Sequence, residues 1–140
     1  MEKSCGVVLF NSDRFLLLQH NNEESGGEGH WDFPKGHVEF GEEEIDTALR
    51  ELKEETDIDD AEIIPNFKQF TDYKISKGQV SVSKKVVFFL AITRVWDVSL
   101  SSEHQNFVWM NFEEAIERLT YDNAKNILEE AHIFIRKMNV

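Results

Sequence analysis

The sequence predicts an α/β fold in which a sheet is covered by helices on both faces. Two observations point there. Apolar runs of strand length recur between Gly6 and Met110, and a central and a C-terminal segment carry apolar residues at the helical period. A third sets the scale: 140 residues, 41% of them hydrophobic and 11% aromatic, supply the core of one domain over 1–140 and leave no material for a second.

Gly6 to Phe10 and Phe15 to Leu18 are apolar runs joined by Asn11-Ser12-Asp13-Arg14, which has turn chemistry. They predict a β-hairpin with strands buried on both faces. Asn21 to His30 is polar and Gly-rich, especially over Ser25 to Gly29, and predicts an exposed, mobile loop. From Glu43 to about Asp57, Ile45, Ala48, Leu49 and Leu52 fall at i, i+3, i+4 and i+7, one buried helical stripe. Glu44, Glu51, Glu54 and Glu55 gather on a neighbouring face, within about 100° of each other. Ile63-Ile64-Pro65 starts an extended segment, and Phe67 to Tyr73 and Val80 to Val95 read as strands around a turn at Lys77-Gly78. The second is too uniformly apolar over Val86 to Ile92 to be an exposed edge. Phe107 to Met110 is a last short strand. Asn111 opens a helix, and Asn123 to Lys137 forms another on the stripe Ile127, Leu128, Ala131, Phe134 and Ile135.

Charge narrows the function. The net charge of −12 argues against a duplex-DNA binder held by phosphate neutralisation. Its distribution is uneven: twelve acids and two bases between Glu39 and Glu62 put −10 into one segment. Ile63 to Val95, by contrast, carries six bases against Asp72 alone, a basic patch suited to an anionic partner. Cys5 is the only cysteine, which excludes an intramolecular disulfide, and it reads as a small buried hydrophobe. With no apolar run of about 18 residues and no signal-peptide pattern, a cytoplasmic protein with no membrane partner is expected.

Glu51, Glu54 and Glu55 stand at helical spacings where like charges repel by roughly 0.3 kcal/mol per pair. Arg50 can pair with Glu54 but cannot neutralise all three. A hard divalent cation with oxygen ligands would do so, Mg²⁺ being the type that is shared between carboxylates and substrate phosphates; a solvated acidic face is the alternative. The full string weighs toward the cation. Gly36, five residues, Glu42, seven residues, then Arg50-Glu51-Leu52-Lys53-Glu54-Glu55-Thr56-Asp57-Ile58 resembles the Nudix hydrolase signature at eight of its nine specified positions. Asp57 is the departure, standing where the signature has the Gly that closes the helix in a left-handed conformation, which Asp tolerates.

The flanks, Trp31-Asp32-Phe33-Pro34-Lys35-Gly36-His37-Val38-Glu39, Lys84 before Val86 to Ala91, and Leu100 to Asn106, are similar to those of the asymmetrical diadenosine tetraphosphate hydrolases of this superfamily. Phe40 stands where those enzymes usually have Pro. The resemblance implies an α/β/α sandwich with a mixed sheet between helices, and one to three Mg²⁺ (or Mn²⁺) ions held by Glu51, Glu54, Glu55 and Glu103. It also implies catalysis by Glu54, Glu103 and Arg50, with Glu54 or Glu103 as general base. Lys35 and Lys84 match phosphate-contacting positions, His37 contacts phosphate or caps the loop, and Tyr73 and Tyr121 fall near positions that sandwich adenine, with a core role as the alternative for each. His104 reads as a structural histidine.

The implied reaction is hydrolysis of diadenosine tetraphosphate to ATP and AMP, the partner being a small nucleotide. Another pyrophosphohydrolase, acting on a nucleoside diphosphate derivative or on triphosphate RNA 5′ ends, is an alternative within enzymes, and a non-catalytic nucleotide-binding regulator lies outside them. A monomer is the simplest expectation.

Overall fold

A computed structural model of the chain describes residues 2–21 and 28–138. Most of the Gly-rich loop expected over Asn21 to His30 lies outside the described residues. The elements are β1 (Glu2–Asn11), β2 (Arg14–His20), β3 (Trp31–Asp32), β4 (Lys35–His37), α1 (Glu44–Thr56), β5 (Glu62–Lys77), β6 (Val80–Ile92), β7 (His104–Met110), α2 (Phe112–Arg118) and α3 (Asp122–Met138). The strands form one mixed sheet of order β3-β2-β1-β6-β5, with β4 paired to β1 and β7 to β2.

Strand period 2 sorts side chains to two faces. From β1, Val8 and Phe10 join Leu90, Ala115, Leu119, Ile127 and Leu128 on the face covered by α2 and α3. Cys5, Val7 and Leu9 join Phe89, Ala91, Ala48 and Leu52 on the face covered by α1. The layers are therefore helix, sheet, helix, as expected. Cys5 is wholly buried, and burial pushes its thiol up to about 11, which leaves it a packing residue.

The hairpin needs a correction. β1 and β2 pair antiparallel only at Phe10↔Phe15 and Asn11↔Arg14, then splay into a V. The segment 31–37 wedges into the opening: β3 pairs with β2 at Leu18↔Asp32 and Gln19↔Trp31, and β4 with β1 from Ser4↔His37 to Gly6↔Lys35. Gly6 permits this approach, since a Cβ there would lie 2.5 Å from the Pro34 carbonyl oxygen. On its other edge β1 runs parallel to β6 from Glu2↔Lys84 to Phe10↔Ile92. β5 is longer than expected and begins before Pro65, with a bulge between Ile63 and Lys68 that holds Asn66 at φ 74°. β7 starts at His104, three residues earlier than the apolar run suggests.

Helix α1 sits where expected, but its buried face is rotated. Thr47, Ala48, Leu52, Glu55 and Thr56 are buried, Leu49 is half-buried, and Ile45 is 40% exposed. A carboxylate therefore occupies a core position. The helix ends at Asp57, left-handed at φ 63° and ψ 17°, with its N–H donating to the Lys53 carbonyl (2.9 Å) and its carboxylate accepting from Lys53 Nζ (2.9 Å). Asp thus performs the closure that the signature assigns to Gly. Asp57→Gly should raise stability by about 1 kcal/mol, since relief of left-handed strain exceeds the loss of one exposed ion pair. Thermal denaturation measures this, and a lower midpoint for the Gly variant would show the Lys53 contact to be the stronger effect.

Candidate active site

The site grows from the rotation of α1. Glu55, 6% exposed, projects toward β4 and accepts the Lys35 backbone N–H at 3.2 Å. Burial, then repulsion from Glu51 and Glu103, pushes its carboxyl up to about 8 against the opposing pull of the Lys35 N–H and side chain. Glu51, one turn earlier, is also shifted upward, by burial first. It presses against Gly36, where a Cβ would fall 2.0 Å from the Glu51 carboxyl carbon; glycine is the residue that fits.

Arg50 organises the rest. Its Nε and Nη2 grip Glu42 at 2.7 and 3.1 Å, and its Nη1 donates to Glu51 (2.8 Å) and Glu54 (3.1 Å). Nη2 also donates to the His37 carbonyl (3.0 Å), which ties the loop before α1 to the helix. The guanidinium, helped by the Glu39 N–H, holds the Glu42 carboxyl down at about 2. Arg50 therefore acts on the carboxylates, holding Glu51 and Glu54 side by side.

Glu103 arrives from a distant loop. Ser99 and Ser101 donate their N–H groups to the carbonyls of Thr56 (3.0 Å) and Glu55 (3.2 Å), docking the 99–101 segment on the end of α1. Asn21 then fixes the turn, donating its N–H to the Glu103 carbonyl (3.0 Å) and its amide to that of Ser102 (2.6 Å). The Glu103 side chain stays exposed, yet near enough to raise Glu51 and Glu55. His104 is buried with Nδ1 3.0 Å from Ser101 Oγ, in keeping with a structural histidine, although its Nε2 has no partner among the described residues.

Among the described residues, no three His, Cys, Asp or Glu side chains stand together as a ready ligand set. Glu51 and Glu54 turn to Arg50, and Glu55 to the Lys35 amide. The donor chemistry nonetheless fits a hard cation, because the set is all carboxylate oxygen, mutually repelling, and includes one member buried without a salt-bridge partner among the described residues.

Beside the carboxylates lies a cleft of about 660 Å³. Tyr73 from β5 and Tyr121 just before α3 both line it, as does Lys35, so three of the expected substrate contacts are brought together from widely separated parts of the chain. Lys84 is paired across from Tyr73 and shares its strand face with the lining residues Val86 and Phe88. It lies 3.6 Å from Glu2, which also takes Lys77 (2.7 Å) and His37 (3.7 Å). His37 is thus exposed at the Glu2 cluster and does not line the cleft. The basic patch is less available than its charge suggests: Lys68 bonds Glu44 at 2.8 Å, and Lys85 lies 4.5 Å over the Phe70 ring. Phe40 projects fully into solvent beside Gly41 at φ 84°.

Sequence reading overlooked three cleft residues. Asp32 is buried 3.9 Å from Lys35 Nζ, and burial raises its carboxyl. His20 and His30 stack with centroids 4.1 Å apart, and His30 lies 5.4 Å from the Tyr121 ring. Burial and two neighbouring imidazoles lower His20 to about 3, so it stays neutral. Asp32 was visible as an acid inside the aromatic string Trp31 to Phe33; the histidine pair exists only through the β2–β3 wedge.

The NUDIX domain family matches residues 2–131, and the chain belongs to it. Within that family it is 35% identical to the asymmetrical bis(5′-nucleosyl)-tetraphosphatase of Sus scrofa, over 97% of each chain. It superposes on a crystal structure of a C. elegans Ap4A hydrolase binary complex with a TM-score of 0.85 and 33% identity, covering 98% of this chain and 99% of that one. An RNA pyrophosphohydrolase of Wolbachia pipientis is more distant, 26% identical over 76% of this chain and 57% of its own.

Free glutamate titrates near 4.5 and Glu55 near 8, so without metal the folded protein holds an extra proton between those values. Its stability should therefore fall as pH rises through that window. Urea midpoints in EDTA at pH 5.5 and 8.5 measure the slope, which Glu55→Gln should flatten; an unchanged slope would place the titration elsewhere.

Proposed function

We propose that the chain hydrolyses dinucleoside polyphosphates, cutting diadenosine tetraphosphate into ATP and AMP with Mg²⁺ (or Mn²⁺) held by Glu51, Glu54, Glu55 and Glu103. The observation that carries this is the buried Glu55 carboxylate, packed against other acids at the edge of a cleft lined by Lys35 and two tyrosines. The names borne by the full-length relatives supply the substrate class.

Bound there, the cations would neutralise charge developing on the phosphate oxygens and lower the pKa of the attacking water. Arg50 holds Glu51 and Glu54 parallel, and the Lys35 N–H orients Glu55. As the water oxygen bonds to phosphorus, its proton passes to Glu54 or Glu103, the two exposed members of the set, and the bond to the leaving phosphate breaks. Lys35 and Lys84 meet the phosphate charge, and Tyr73 and Tyr121 receive adenine in the cleft. His37 joins them only by leaving Glu2. No helix among the described residues is long and apolar enough to cross a membrane, and the one cysteine is a buried thiol, which supports our assignment to the cytoplasm.

With Mg²⁺, diadenosine tetraphosphate should yield ATP plus AMP, and EDTA should abolish turnover; preferential attack on triphosphate RNA ends would shift the assignment to the other branch of the family. Glu55→Gln should lower kcat by about 100-fold or more. Tyr121→Ala should raise KM about 5-fold with kcat nearly unchanged, as expected for loss of a stacking contact. Steady-state kinetics of the two variants test the site, and wild-type turnover by Glu55→Gln would refute the carboxylate assignment.

A further inference from the structure

On the far side of His30 lies a second, larger cleft of about 1070 Å³, bordered by Gln19, Trp31, Gln105, Asn106 and Arg118. Its chemistry differs from that of the tyrosine cleft. Glu28, Glu114 and Glu117 line it with Arg118, the one cation among its described lining residues, and Arg14 reaches Glu114 from outside at 3.9 Å; the remaining acidic excess disfavours a polyphosphate but not an uncharged base and ribose. The Trp31 indole packs against the core and its ring lies under the Arg118 guanidinium at 4.9 Å, so the planar guanidinium is the surface that a base would meet. Trp31 is fixed in place by its backbone, whose N–H donates to Thr120 Oγ1 (2.8 Å) and whose carbonyl accepts the Thr120 N–H (3.3 Å). Gln105 adds an amide that both donates and accepts as the edges of bases do, and Gln19 and Asn106 keep part of that capacity, Gln19 donating to the Gly29 carbonyl (3.1 Å) and Asn106 Oδ1 accepting the Phe107 N–H (2.9 Å).

Neither cleft is lined by the metal-site carboxylates themselves, but each has a lining residue next to them. Lys35, whose N–H meets Glu55, lines the tyrosine cleft, and Gln105, two residues after Glu103, lines the second; His30 belongs to both. A substrate with one nucleoside between Tyr73 and Tyr121 and its cleaved phosphate at the carboxylates leads its other nucleoside toward Trp31. We propose that the Trp31–Arg118 cleft is the subsite for this second nucleoside, the half released as AMP. The acidic lining suits that half, which carries one phosphate, while the three phosphates of the ATP half stay with Lys35 and Lys84. The proposal rests on the dinucleoside polyphosphate reading of the active site.

The test compares wild type and Arg118→Ala, a surface substitution, on diadenosine tetraphosphate and on adenosine 5′-tetraphosphate, which has the four phosphates but one nucleoside. Arg118→Ala should lower kcat/KM about 5-fold for the dinucleotide alone, the scale of one cation–π contact. Equal loss on both substrates, or loss on neither, would overturn the subsite. A wild-type enzyme that cleaves adenosine 5′-tetraphosphate but leaves the dinucleotide intact would overturn the substrate reading and the subsite with it. The Trp31 indole N–H resonance gives a second measurement: it should shift on titration with a methylene-bridged, non-hydrolysable analogue of the dinucleotide and stay put with ATP. Equal shifts with both, or none, would also count against the subsite.

Discussion

Placing a carboxylate in the core is the constraint around which this molecule is arranged. Removing an ionised group from water without a charged partner costs several kcal/mol, so such a group shifts its pKa or acquires compensation. Glu55 does both in part, rising to about 8 while taking a backbone N–H from Lys35. Its neighbours cannot then go unpaired, and the fork of Arg50 bonds Glu42 twice, Glu51 and Glu54 once each and the His37 carbonyl besides, five bonds where a lysine has three donors. Gly36 follows from the same crowding, because the Glu51 carboxyl occupies the space of its missing side chain.

The sheet supplies the opening that this arrangement requires. Had β1 and β2 paired along their length, the segment 31–37 would have no place in the sheet, and Lys35 could not reach Glu55. The two-pair hairpin lets β3 and β4 each take one arm of the V. The same wedge sets Trp31 on one side of His30 and Lys35 on the other, so two clefts with different charge meet at one histidine.

Much of the site was legible because its residues lie close together in sequence. The spacing from Gly36 to Ile58 gave the helix, its termination near Asp57 and the clustered acids. The direction of the helix was not legible in the same way: a stripe sought among apolar residues selects Ile45 and Leu49, whereas the buried positions include Thr47, Glu55 and Thr56. β3 and β4, two and three residues long, are too short to show a period. The meeting of Tyr73 with Tyr121 came from resemblance, since no local pattern links them, and the stack of His20 on His30 depends on strand pairing. Net charge misled in one respect: the excess of lysine over Ile63 to Val95 is largely engaged by Glu2, Glu44 and the Phe70 ring.

The parallel pairing of β1 with β6 also bears on how the molecule forms. Helix α1 with its Arg50 network, and the antiparallel β5–β6 pair, are built from contacts local in the chain. Glu2 and Lys84, by contrast, are partners about eighty residues apart, and closing so long a loop is a slow step in folding. Lys35 on β4 and the tyrosine cleft on β5 and β6 come together only once β1 has docked between them. The acids cluster within one local segment, but the cleft they serve is assembled across the sheet, and competence for phosphate chemistry arrives with its completion.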